Sequence, residues 1–191
     1  MFSSTAVRYI ISPKYQYKTF SNLSVRLGVA LNPTDIFDVI NGNALEKYCD
    51  GAIPAVANEA DLSKLLSETA ATADKAMCAL DFQGGILAIM DFCKRINLYV
   101  TETEPWVLAK DEANRSKLNE VLYNTAEGIR ALAVLLHPVM PETCEKLWEN
   151  LGANSLGALA NQKISEAAKW GTLPAGSKVS KSAPLFPRLE E

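Results

Sequence analysis

Apolar residues recur at three- and four-residue steps through the middle of the chain, the spacing of helices that bury one face. Over 61–80 the stripe is Leu62, Leu65, Leu66, Thr69, Ala73, Ala76, Met77 and Leu80. Over 84–103 it is Ile86, Ile89, Met90, Cys93, Ile96 and Val100, entered through a Gly84-Gly85 pair suited to a close helix contact. Over 112–136 it is Leu118, Val121, Leu122, Ile129, Leu132, Ala133 and Leu136, the strongest stripe in the chain. Pro141, at a first helical position, opens a fourth helix over 141–151, with Leu147, Trp148 and Leu151 facing inward and Gly152 as its cap. Helices joined by short links, able to bury these stripes only on one another, predict an all-α fold, an antiparallel helix bundle.

The flanks are different. Beyond Gly152, residues Asn154–Lys163 form a small-residue helix or loop. Trp170 to Pro187 carries Gly, Pro and Ser with no helical period, which predicts an extended C-terminal tail folding back along the bundle. At the other end Pro13, Asn32-Pro33 and Asn41-Gly42-Asn43 break any long helix. The chain therefore divides into an irregular segment over 1–45, a bundle over 46–152 and a returning tail over 153–191.

Composition narrows the function. A length of 191 residues with 48% hydrophobic residues suffices for one domain with a substantial core. No apolar run approaches a membrane span, the longest lying around Leu132–Leu136, and residues 1–20 lack a secretory pattern. A cytoplasmic protein with no membrane partner is expected. Cys49, Cys78, Cys93 and Cys144 are widely spaced and the chain has a single histidine, so no metal site is expected; the thiols should pack as small hydrophobes. A net charge of −3 and a pI near 5.3 exclude a protein that coats nucleic acid by charge alone, and DNA is not an expected partner. Recognition of a few unstacked bases remains open, because it depends on stacking more than on phosphate neutralisation.

Trp106 suits that task. A helical stretch reaches Pro105, which lacks an N–H and clashes with the preceding turn, so the chain must bend or start a new helix there. An aromatic ring at such an elbow can be turned out of the core and offered as a stacking face. Tyr99 is placed to pack beneath it, and the acids Glu102, Glu104, Asp111 and Glu112 flank the break, where they should cap the next helix. By contrast Trp148, at helical spacing with Leu147 and Leu151, belongs to the core.

The run Asn97-Leu98-Tyr99-Val100-Thr101-Glu102-Thr103-Glu104-Pro105-Trp106-Val107-Leu108-Ala109-Lys110 resembles the helix that carries the anticodon-stacking tryptophan of methionyl-tRNA synthetases. Leu118 through Tyr123, continuing to Leu135-Leu136-His137-Pro138-Val139-Met140-Pro141, is similar to that family's next helix and its stop. Pro184-Leu185-Phe186-Pro187-Arg188-Leu189-Glu190 is similar to the run that closes its anticodon-binding domain. The three runs occur in family order over roughly 46–190. The resemblance implies the class I synthetase anticodon-binding bundle, with Trp106 and Pro105 at the anticodon loop of a tRNA. In the complete family enzyme, an ATP-dependent ligase joins methionine to that tRNA. Two departures stand out. The family's N-x-x-x-R motif, two anticodon-reading residues one turn apart, is matched in spacing by Asn22 and Arg26, but these lie too far upstream of Tyr48. Leu98 stands where the family more often has arginine.

The catalytic apparatus of such an enzyme is not expected in this chain. His137 is alone and followed by Pro138, so it reads as a helix-terminal residue near the last carbonyls. Lys178-Val179-Ser180-Lys181-Ser182 looks like the family's K-M-S-K-S loop, but it stands directly before the closing run, and coincidence is the better reading. With no catalytic residues and no cofactor site, the chain alone is expected to be inactive, its partners being a tRNA anticodon loop and, if supplied, the catalytic domain. Residues 1–45 then read as non-native or as a remnant of the first bundle helix, in a truncated or frame-shifted product. The rival readings are a helical protein-interaction module and a non-functional synthetase fragment.

Overall fold

The computed structural model describes residues 44–180. Among them seven α-helices follow in order: α1 (Ala44–Cys49), α2 (Ala60–Cys78), α3 (Phe82–Thr103), α4 (Pro105–Leu108), α5 (Arg115–Leu136), α6 (Pro141–Asn150) and α7 (Ile164–Ala167). Short 3-10 turns stand before α5 and after α6. The sole β pairing among the described residues is one antiparallel bridge between Ala52 and Lys178. No helix among them is long and apolar enough to cross a membrane.

Helix α2 buries Leu62, Leu66, Thr69, Ala70 and Ala73 on one face, as its period requires. It ends sooner than the stripe suggests. Leu80 lies outside it, in a left-handed turn with φ 61°, and is 68% exposed. Asp81 then caps α3, its carboxylate accepting the Gly84 N–H at 2.9 Å. The hairpin closes tightly because Gly85 presents no side chain towards Met77. Helix α3 buries Ile89, Met90, Cys93, Ile96 and Val100 of the expected stripe and adds Phe92 and Tyr99; Ile86 is half-buried.

The strongest stripe understates α5. Every residue from Val121 to Leu136 is buried, not one face of them. The helix is the axis of the fold, packed against α1, α2, α3, α4, α6 and α7. A Cβ at Gly128 would stand 2.5 Å from Ile96 Cδ1, so α3 crosses α5 closely and a side chain there would require Ile96 to move.

Central burial favours pairing of the polar groups of α5. Most are paired, although Asn124 Oδ1 is buried without a hydrogen-bond partner among the described residues. Glu127 Oε1 accepts Arg130 Nε at 3.0 Å and the Thr172 N–H at 3.1 Å; Oε2 accepts the Leu173 N–H at 2.9 Å. Arg130 donates to the carbonyls of Ala167 at 3.0 Å and Lys169 at 3.1 Å. Tyr123 donates its hydroxyl to the Leu173 carbonyl at 3.0 Å. The segment after α6 is thereby laid along the bundle, with Leu159, Ala167 and Leu173 in the core. Its last part runs beside residues 51–53: Ile53 N–H donates to Ser177 O at 2.9 Å and Val179 N–H to Gly51 O at 2.8 Å. Gly152, with φ 65°, follows α6 as expected, and the Lys178 carbonyl lies where its Cβ would be.

All four thiols are free, Cys93 and Cys144 buried among the core side chains. Burial pushes the Cys93 thiol up to about 12, leaving it protonated and inert.

Candidate nucleic-acid interface

The elbow between α3 and α5 is built almost entirely from backbone. Helix α3 stops at Glu104, a non-glycine residue in the left-handed region (φ 43°, ψ 60°). Its N–H still closes the last turn on Val100 O at 3.1 Å, while its carbonyl accepts Val107 N–H at 2.8 Å and starts α4. Pro105 at the first position of α4 loses nothing by lacking an N–H, and its ring is buried. The turn after it closes through Ala109 N–H to Pro105 O at 3.0 Å and Lys110 N–H to Val107 O at 3.1 Å.

This short turn sends neighbouring side chains in opposite directions. Pro105 and Leu108 face the bundle, while Trp106 is 48% exposed and Val107 44%. Beneath them Thr103 donates to Tyr99 O at 2.6 Å. Tyr99 is buried, its hydroxyl accepting Asn124 Nδ2 of α5 at 3.1 Å. Burial raises the Tyr99 phenol above its ordinary value, the Asn124 donor offsetting part of the rise, so it remains neutral. Tyr99 thus ties the last turn of α3 to the central helix. A half-exposed indole stands on a turn whose backbone hydrogen bonds are closed at both ends. Such a surface can stack on a planar partner.

The flanking acids behave less uniformly than expected. Asp111 does cap, accepting Ala113 N–H at 3.0 Å. Glu104 acts through its backbone, with no side-chain cap bond, and Glu102 reaches back to Arg95 at 3.0 Å instead. The reason is geometric: Glu102 lies on the last turn of α3 with Arg95 two turns below it on the same face, away from the N–H groups of α4.

Of the other sequence candidates, Asn22 and Arg26 lie outside the described residues, as do Lys181, Ser182 and the Pro184–Glu190 run. Lys178, Val179 and Ser180 are part of the anchored segment beside Gly51 and Asn150. His137 stands at the end of α5, 3.5 Å from Glu145 Oε1 of α6. Trp148 is core, donating its indole N–H to Gly157 O at 3.0 Å. Among the described residues no three His, Cys, Asp or Glu side chains gather as metal ligands. Sequence reasoning missed the Glu127–Arg130 pair; a charged pair three residues apart inside the apolar run of α5 was its only trace.

The site thus lies in an α-bundle with a polar seam, a returning tail and one indole turned outward at a helix break. The model of the family described as the anticodon-binding domain of tRNA ligase matches residues 59–182, and the chain belongs to that family. The relatives it is similar to are methionine–tRNA ligases. It is 51% identical over 153 residues to a methionine–tRNA ligase of Streptomyces coelicolor, a match covering 76% of this chain and 28% of the relative. The ligase of Bacillus subtilis is 38% identical over 151 residues, covering 76% of this chain and 22% of the relative. The apo methionyl-tRNA synthetase of Mycobacterium tuberculosis superposes with a TM-score of 0.66 at 26% identity, over 95% of this chain and 35% of that one. The same enzyme in complex with methionyl-adenylate gives 0.65 at 28% identity, over 88% and 33%. The chain therefore spans less than a third of the length of these curated relatives.

Proposed function

We propose that this domain recognises the anticodon loop of a tRNA, with Trp106 as a platform on which an unpaired anticodon base stacks. Pro105 fixes the direction of the ring, and Tyr99 with Asn124 holds the elbow against α5. The observation that carries this reading is the 48% exposure of Trp106 beside a buried Pro105, in a chain whose relatives are methionine–tRNA ligases. A half-exposed indole keeps apolar surface that a stacked base would bury, a gain of the order of a kcal/mol or more. In a complete cytoplasmic ligase, the contact would select the tRNA to which methionine is attached with ATP. The domain contributes tRNA choice and no bond-making step.

Stacking suits the charge of the molecule. A chain of net charge −3 cannot hold RNA by phosphate neutralisation over a wide surface. Each stacked base contributes roughly 1–3 kcal/mol, enough for discrimination with modest affinity. Fluorescence anisotropy should show the 191-residue chain binding a hairpin with a CAU loop, and binding a changed loop at least about tenfold more weakly. Equal affinity for both hairpins would refute anticodon recognition, and loss of binding to both would favour a surface for protein.

A further inference from the structure

Three cations from distant parts of the chain meet at one turn. Lys47 lies with its ammonium 5.0 Å from the centre of the Tyr48 ring. Arg115 donates to the Tyr48 carbonyl, and Lys178 donates to the Asp50 carbonyl at 3.4 Å. All three side chains are exposed. Cys49, between them, reaches Asn119 on the next turn of α5, which fixes the turn to the start of that helix.

Lys64, Lys94, Arg95, Lys117 and Lys163 each have a carboxylate within 4.0 Å, as does buried Arg130. Like Lys75, Lys110, Lys146 and Lys169, the three cations Lys47, Arg115 and Lys178 lie outside every ion pair among the described residues. What sets these three apart is that they converge on one turn. Arg115 also occupies the first turn of α5 with no acid beside it in that turn. This is the positive end of a 22-residue helix, where a cation is electrostatically disfavoured. Glu112 stands one turn earlier, in the 3-10 turn. Arg115 and Lys178 each donate to one neutral carbonyl, Lys47 lies over the Tyr48 ring, and all three keep further N–H groups for a ligand.

The turn is well placed. Helix α3 ends at the Trp106 elbow and α5 begins after the short link 109–114, so the cations and the indole share one end of the bundle. We propose that Lys47, Arg115 and Lys178 form a second contact with the same RNA, gripping the phosphodiester backbone of the anticodon arm while Trp106 takes a base. The inference rests on the tRNA-binding reading and divides the labour within it. The elbow supplies selectivity, the cationic turn supplies salt-sensitive affinity.

The test compares binding of a CAU hairpin to the 191-residue chain over a range of salt. Each phosphate contact contributes roughly 0.7–0.9 to the slope of log affinity against log salt. Lys47→Gln/Arg115→Gln/Lys178→Gln should lower that slope by about 2 and weaken binding roughly tenfold at low salt, without changing the preference for CAU over an altered loop. Trp106→Ala should do the reverse, losing affinity and preference while keeping the slope. Lys47→Gln/Lys178→Gln leaves the Arg115–Tyr48 bond in place and guards against misfolding; it should lower the slope by more than 1. Lys75→Gln/Lys146→Gln/Lys169→Gln removes equal charge elsewhere and should leave the slope within about 0.5 of wild type. Unchanged slopes in both cationic-turn variants, or an equal fall in the control, would overturn the proposal while leaving the Trp106 reading standing. A wild-type chain that binds no hairpin would remove both.

Discussion

Trp148 and Trp106 are the same residue type in opposite surroundings. Trp148 is 2% exposed, wedged into the core, with its single donor matched to Gly157 O. Trp106 is 48% exposed, on a four-residue helix that begins after a left-handed residue. Around Trp148, everything polar that is buried serves the fold. Around Trp106, an apolar surface is left in water next to Glu104 in the left-handed region, where a partner can reach it.

The comparison can be broken most sharply at the core. Trp148→Ala should cost roughly 3–5 kcal/mol, enough to melt a marginal domain. Arg130→Ala should cost a similar roughly 3–5 kcal/mol, because it leaves the Glu127 carboxylate buried without its cation. Chemical denaturation measures both. Hydrogen exchange on the Arg130 variant should show protection lost first over residues 167–180, the stretch that Glu127 and Arg130 hold. If Arg130→Ala denatures like wild type, the seam does not hold the tail. At the elbow the effect should be smaller and of opposite sign. Glycine at 104 accepts φ 43° freely but adds freedom to the unfolded chain, so Glu104→Gly should stabilise by at most about 1 kcal/mol. The same variant should bind RNA more weakly, since a looser elbow orders the indole less. Marked destabilisation by Glu104→Gly would mean that the side chain, not the backbone, holds the turn.

Much of the fold could be read from periodicity. The stripes of α2, α3, α5 and α6 lie within three residues of the observed helices, and Pro105 and Pro141 mark real helix starts. Burial around all sides of α5 could not be read, because it comes from elements that pack on it from far along the chain. Glu127 and Arg130 look like an exposed i, i+3 pair until backbone groups 37–46 residues away are known to face them. The left-handed turn at Glu104 was equally hidden, since no glycine announces it. At the site, Pro105 and Trp106 stand out by residue type alone. The cationic turn does not, because Lys47, Arg115 and Lys178 meet only after the tail has folded back beside residues 51–53.

Trp106 itself gives the most direct test of the account, through paired measurements of stability and RNA affinity on one variant. Trp106→Ala should leave the denaturation midpoint almost unchanged, within the roughly 0.5 kcal/mol usual for surface positions. Its affinity for a CAU hairpin should fall by about one to two decades, the worth of one stacked base. Trp106→Phe should retain part of that affinity, since a smaller ring still stacks. Unchanged RNA affinity together with a collapsed denaturation curve would place Trp106 in the service of the fold and contradict the account.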